Sequence, residues 1–222
     1  MERVKATRFT SDPPKTPYAP TWDYTIAEKM VDIDLEELTR VILLKEKEIR
    51  KEVDPPNWNS DFWGTDDDPG PGKDSLTAKA YSYNMLDWDY PIIADLKKEI
   101  ITFYDQYCKG TNNTDPPPIK IKCWANVLRT NQKIKKHYHA THPYTYLGGH
   151  LTVKCDNTST VYVNPIDFHN EFVLKNVVGN MTLFPNYIAH YTSLQTSDEP
   201  RITIAWDIMP DLPEVNLECY PH

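Results

Sequence analysis

Arg201-Ile202-Thr203-Ile204-Ala205-Trp206-Asp207-Ile208 alternates residue by residue: Ile202, Ile204, Trp206 and Ile208 fall on one side, Arg201, Thr203, Ala205 and Asp207 on the other. A period of two marks a strand with one face in a core. The apolar side is expected to pack against helices. The other side then sets Arg201 and Thr203 side by side inside a small barrel, where a charge is costly unless an anion pairs with it. A carboxylate on a bound ligand would be a natural partner.

The same period recurs upstream. Ile119 and Ile121 alternate with Lys120 and Lys122, and further strands are expected at 147–154, 159–164, 171–174 and 181–184, each bounded by turn-forming residues. Short strands with regular breaks predict a sandwich or barrel. The first half reads differently. Asp34 and Glu37 form a capping-box pattern ahead of Leu35, Leu38, Ile42 and Ile49, which predicts an amphipathic helix over 35–52. Pro91 suits the first turn of a second helix, with Ile92, Leu96, Ile100, Phe103 and Tyr107 as its apolar stripe and Gly110 as its stop.

These elements predict an α+β chain of one domain. Residues 1–24 are expected as an extended arm, 25–118 as helical and loop-rich support, 119–210 as the β core and 211–222 as a tail. Within the support, 54–74 is a loop rich in Pro, Gly and Asp that carries Trp58, Phe62 and Trp63. It is read as a static flap packed on the core or a lid over a pocket.

Composition narrows the classes. A formal charge of -8 provides no broad basic face for phosphate backbones, so nucleic acid is not an expected partner. Lys133, Lys135 and Lys136 are a local exception, read either as a solvated strand edge or as a cationic rim for an acidic substrate. Cys108, Cys123, Cys155 and Cys219 show no CxxC pair and are read as reduced, structural thiols. The first residues lack the apolar core of a signal peptide, and the longest aliphatic run, 41–44, is too short for a bilayer. A soluble, cytoplasmic protein without membrane association is expected. Triplets of glycosylation type at Asn112, Asn157 and Asn180 are read as chance.

His137-Tyr138-His139 supplies two imidazoles on one side of an extended segment, poised to share a metal. Seven histidines in 222 residues produce such a pair by chance about 0.2 times, so the pair alone says little. A distal His190 and Arg201, eleven residues later on the closing strand, make the pattern specific. Nitrogen donors gathered on one face, with coordination positions left open, suit iron(II).

The segment 124–210 resembles the iron(II)/2-oxoglutarate-dependent oxygenases of double-stranded β-helix (jelly-roll) fold. It is most similar to an uncharacterised branch common in marine bacteria and phages. The resemblance rests on Trp124-Ala125-Asn126, His137-Tyr138-His139, Leu147-Gly148-Gly149, Val163-Asn164-Pro165, 179–185, His190 and Arg201-Ile202-Thr203, in that order. It implies a jelly-roll core with N-terminal helices packed on one sheet, His137 and His190 as iron ligands, and Arg201 clamping the distal carboxylate of 2-oxoglutarate. Thr203 would add a hydroxyl donor, and Asn126 and His150 would be further cosubstrate contacts.

Most members carry Asp or Glu where this chain has His139. The third metal position is therefore either His139 or a site it supports from outside, and His142 is an alternative member of the pair. The implied activity is hydroxylation of an unactivated C–H bond of a peptide, amino acid or small molecule, with succinate and carbon dioxide released. The alternatives are a non-catalytic recognition module and a three-histidine metalloenzyme that does not use 2-oxoglutarate. Trp58, Trp63, Lys135, Lys136, Tyr144 and Tyr146 are candidates for shaping a substrate pocket; oligomeric state is left open.

Overall fold

The computed structural model describes residues 4–58, 60–113, 115–139, 142–215 and 217. Cys219 and His222 lie outside the described residues. Two helices come first. Helix α1 spans Leu35–Glu52, and Asp34 caps it by accepting the backbone N–H of Glu36 and Glu37, a contact worth about 1 kcal/mol. The reciprocal half of the expected capping box is absent, because the Glu37 carboxylate turns to Arg40 at 2.7 Å instead. Helix α2 spans Pro91–Gly110, and its expected stripe is buried. The left-handed residue that ends it is Asn112, at φ 61°, rather than Gly110.

The strands are β1 (Lys5–Thr10), β2 (Asp23–Met30), β3 (Ile119–Leu128), β4 (Leu147–Lys154), β5 (Ser159–Val163), β6 (Glu171–Lys175), β7 (Asn180–Pro185), β8 (His190–Thr192) and β9 (Arg201–Pro210). They form a six-stranded sheet in the order β1-β2-β7-β4-β9-β3 and a three-stranded sheet in the order β6-β5-β8. Every strand pairing among the described residues is antiparallel. From β4 onward the chain passes back and forth between the two sheets, which is the jelly-roll arrangement, with both helices on the outer face of the larger sheet.

Part of the expected arm is ordered as a strand. β1 pairs with β2 from Lys5↔Glu28 to Thr10↔Asp23, and β2 in turn joins β7. β1 is mostly exposed, so its sequence carries no apolar alternation to reveal it. Cross-strand charges such as Lys5 with Glu28 at 2.7 Å accompany its ladder of backbone bonds.

Both faces of β9 are buried, but they meet different surroundings, as the alternation predicts. Ile202, Ile204, Trp206 and Ile208 join Leu38, Val41 and Ile42 of α1 and Leu96, Ile100 and Phe103 of α2 in one core. Gly149 on β4 makes room for this layer, since a Cβ there would lie 2.3 Å from the Trp206 indole. Between the sheets the apolar packing is smaller: Tyr24, Ile26, Tyr162, Phe184 and Ile188. The remaining inter-sheet space is lined by polar side chains. No helix among the described residues is long and apolar enough to cross a membrane.

The 54–74 loop is held at several points. Lys79, with no exposed surface, donates to the carbonyls of Arg50 and Val53 at the end of α1 and pairs with Asp74 at 2.6 Å. Asp68 pairs with Lys133 at 3.0 Å and Lys135 at 2.6 Å. Gly64 bridges Pro69 and sits at φ 98°; a Cβ there would meet the Gly70 nitrogen at 2.2 Å. Two of the three rim lysines thus share one carboxylate of the loop they hold down.

Candidate metal centre

His190 opens β8, and its backbone exchanges two hydrogen bonds with His137, each 3.0 Å. This bridge sets the two imidazoles side by side, ring centroids 4.3 Å apart. His139 lies two residues further along and returns to the same side, its ring 4.9 Å from His190. One ligand atom from each of His137, His139 and His190 falls within 4.8 Å of the others.

Each Nδ1 faces an acceptor. For His137 it is the Lys135 carbonyl at 2.8 Å, for His190 the Ile188 carbonyl at 3.2 Å. For His139 it is the Asp207 carboxylate at 2.6 Å, with the Trp206 carbonyl at 3.1 Å. A carbonyl or carboxylate only accepts, so each Nδ1 keeps its proton and each Nε2 is left with a lone pair for a cation. Burial, with the neighbouring imidazoles, pushes His137 down to about 4 and His190 well below its usual range. These two rings are therefore neutral at pH 7, the form that binds metal.

Asp207 was not singled out by its sequence context, yet it is fully buried against His139. It shares the inward β9 face with Arg201 and Thr203, carried two residues beyond Ala205 by the strand period. On β4, Gly148 backs the same ring: a Cβ there would fall 2.5 Å from His139 Cγ. Gly148→Ala is expected to cost roughly 1–3 kcal/mol of stability through overpacking and to weaken metal binding about 10- to 100-fold by displacing the ring. Thermal unfolding and metal titration would check this; an unchanged metal affinity would show that the ring position is not critical.

Arg201 lies in the same cavity, 2% exposed. With the Asn176 carboxamide oxygen turned toward it, its Nη2 donates at 3.2 Å. Its Nε and Nη1 find no partner among the described residues. Burial lowers it to about 10, so it remains a cation at neutral pH. Thr203, two residues on, accepts from Asn126 Nδ2 at 3.3 Å, and Asn126 in turn accepts the Thr77 hydroxyl at 2.7 Å. That chain leaves the Thr203 hydroxyl proton free to donate. His150 contacts the Tyr162 hydroxyl at 2.7 Å and the Thr182 hydroxyl at 2.9 Å; burial, then Arg201, pushes it down to about 3. It is thus a neutral, bonded imidazole on the cavity wall.

His137, His139, His150, His190, Asn126, Arg201 and Thr203 all line one cavity of about 240 Å³. His142 stands apart, stacked on Tyr144 and accepting its backbone N–H at Nδ1, outside the histidine cluster. Tyr146 points the other way, its hydroxyl 2.8 Å from that of Tyr104 on α2. Neither Tyr144 nor Tyr146 lines the cavity; Trp58, Phe62, Trp63, Tyr81 and Trp124 do. Tyr81, Thr77, Tyr162 and Asn176 carried no sequence signal, since their roles depend on which strand or turn packs beside them.

Solved structures share the fold. A Pseudomonas putida prolyl-4-hydroxylase matches at 7% identity over 83% of this chain and 92% of its own, with a TM-score of 0.52. A non-heme alpha ketoglutarate dependent carbocyclase, SnoK from nogalamycin biosynthesis, matches at 11% identity over 83% and 79%, with a TM-score of 0.54. A 2OG-Fe(II) oxygenase family oxidoreductase from Burkholderia pseudomallei matches at 12% identity and TM-score 0.45; this match covers 55% of the chain and 60% of that protein. At these identities the likeness is one of fold. No curated protein matches the sequence. Residues 122–207, which carry all three clustered histidines, Arg201 and Thr203, match the family model described as "Putative 2OG-Fe(II) oxygenase".

Proposed function

We propose that the chain is an iron(II)- and 2-oxoglutarate-dependent oxygenase that hydroxylates an unactivated C–H bond, releasing succinate and carbon dioxide. One observation carries the reading: three imidazoles converge in the cavity that also holds a buried, incompletely bonded guanidinium. The donor set fits a borderline cation with positions left open. The guanidinium fits a planar carboxylate taken in two parallel hydrogen bonds.

In this reading His137, His139 and His190 hold the iron. His139 stands where a carboxylate is usual in the resembling family, and Asp207 behind it raises the basicity of its Nε2. Arg201 binds the distal carboxylate of 2-oxoglutarate, Thr203 donates to it, and the Thr77–Asn126 chain orients that hydroxyl. His150 and Tyr162 close the wall beside Arg201. Iron with 2-oxoglutarate supplies the oxidising chemistry when bound; the protein supplies placement and a water-poor enclosure. Placement within the marine bacterial and phage branch rests on the motif order alone.

Anaerobic addition of iron(II) and 2-oxoglutarate is expected to produce the weak visible charge-transfer band of an iron-chelated keto acid. Absence of both the band and iron binding would sink the oxygenase reading. Iron binding without the band would favour a three-histidine metalloenzyme whose Arg201 holds an acidic substrate.

A further inference from the structure

We infer that the substrate offers a neutral, apolar side group to the metal, a single ring or branched chain rather than an acid or an amine. The inference rests on the oxygenase reading and follows from the half of the cavity that Arg201 does not serve. There the walls are Trp58, Phe62, Trp63, Tyr81 and Trp124. The Phe62 ring stands 5.6 Å from His137, and the Trp124 ring 5.6 Å from His139, so this aromatic wall borders the metal position itself.

Charge is missing from that wall. Among the described lining residues there is no Asp, Glu or Lys, and Arg201 is the sole fixed cation. The Tyr81 hydroxyl donates to the Asp54 carbonyl at 3.1 Å, and Asn126 is held by Thr77 and Thr203; the buried Trp63 Nε1–H, without a partner among the described residues, adds one neutral donor. A charged side group entering here would lose its hydration and gain no opposite charge from this wall. The rim carries Lys133, Lys135 and Lys136 against Asp61 and Asp68, but those charges line the adjoining groove and not this wall.

An aromatic wall could instead box an alkylammonium. The ring geometry argues against that use. Trp58 sits 5.8 Å from Tyr81 and 6.3 Å from Trp63, and Phe62 5.4 Å from Trp63. Trp58 meets Tyr81 and Phe62 meets Trp63 edge to face, and Trp58 is tilted at 53° to Trp63, so the rings make one continuous wall rather than separate faces around a cation-sized gap. The space is also small. At about 240 Å³ for both ends together, it falls below the roughly 300–1,000 Å³ of sites that enclose a whole drug-sized ligand. One side group enters, and the rest of the substrate lies outside, over the groove that shares Phe62 and Ile134 with the cavity.

The test uses the full chain with zinc and 2-oxoglutarate, so that no turnover occurs. Binding is measured by ligand-observed NMR and tryptophan fluorescence. The probes share one backbone: N-acetyl-leucinamide and N-acetyl-phenylalaninamide against N-acetyl-lysinamide and the α-amide of N-acetyl-aspartic acid. The neutral probes are expected to bind about tenfold or more tightly than either charged one. Trp58→Ala should erase that preference, and Trp58→Glu should turn it toward the lysine probe. Equal binding of the four, tighter binding of a charged probe, or an unchanged preference in both Trp58 variants would overturn the inference. The oxygenase reading is scored separately by 2-oxoglutarate binding: a protein that selects neutral probes but binds no 2-oxoglutarate keeps the selectivity and loses only that reading.

Discussion

Arg201→Ala is expected to weaken 2-oxoglutarate binding by about 2–5 kcal/mol, at least thirtyfold, while leaving iron affinity nearly unchanged. The split follows from geometry. Arg201 makes no contact with the imidazoles that would hold the metal, and two of its guanidinium nitrogens have no protein acceptor among the described residues. A 2-oxoglutarate carboxylate would take one of those nitrogens together with the second Nη2 hydrogen, so the alanine variant loses charge-assisted hydrogen bonds specific to the cosubstrate. Because they bond nothing in the protein itself, truncation should cost the cosubstrate-free fold little. Isothermal titration of iron and of 2-oxoglutarate, with thermal unfolding of both proteins, would check the three parts together. Equal loss of metal and 2-oxoglutarate affinity, or a large drop in melting temperature, would make Arg201 structural. Arg201→Lys tests the fork itself: the charge remains, but the paired N–H geometry does not, so only part of the affinity should return.

The second large effect concerns His139. If it is a direct ligand, His139→Ala should lower iron affinity by roughly 3 kcal/mol, about a hundredfold, a one-ligand share of typical site energies. Asp207→Asn should lower it less, about 10- to 100-fold, because the asparagine can still accept through oxygen but no longer carries the charge that makes Nε2 a stronger donor. The ranking is the informative part. Unchanged iron affinity in both variants would place His139 outside the metal's immediate ligands and leave His137 and His190 as the pair. A loss in Asp207→Asn that matches or exceeds the loss in His139→Ala would instead point to Asp207 as the group the metal needs.

The amino-acid order alone determined the elements that have a long period. The stripes of both helices, the alternation of β9 and the ends of β4 can be read residue by residue, because burial selects apolar side chains at 3.6 or 2.0 spacing. The i, i+2 histidines and the cation on the inward face of the closing strand were legible for the same reason. Two strands were not: β1 lacks a buried face and is held mainly by backbone bonds and exposed charges, and β8, though buried, is only three residues long.

Only the tertiary structure decided how His137, His139 and His190 come together. His137 and His190 are 53 positions apart, and a single antiparallel bridge joins them. Tertiary packing likewise put Asp207 behind His139, emptied Gly148 to admit the ring, and spent Lys133 and Lys135 on Asp68. The physical reason is common to these cases. A hydrogen bond or ion pair acts over about 3 Å regardless of separation along the chain, so residue type shows what a side chain is able to do, and strand pairing decides what it meets.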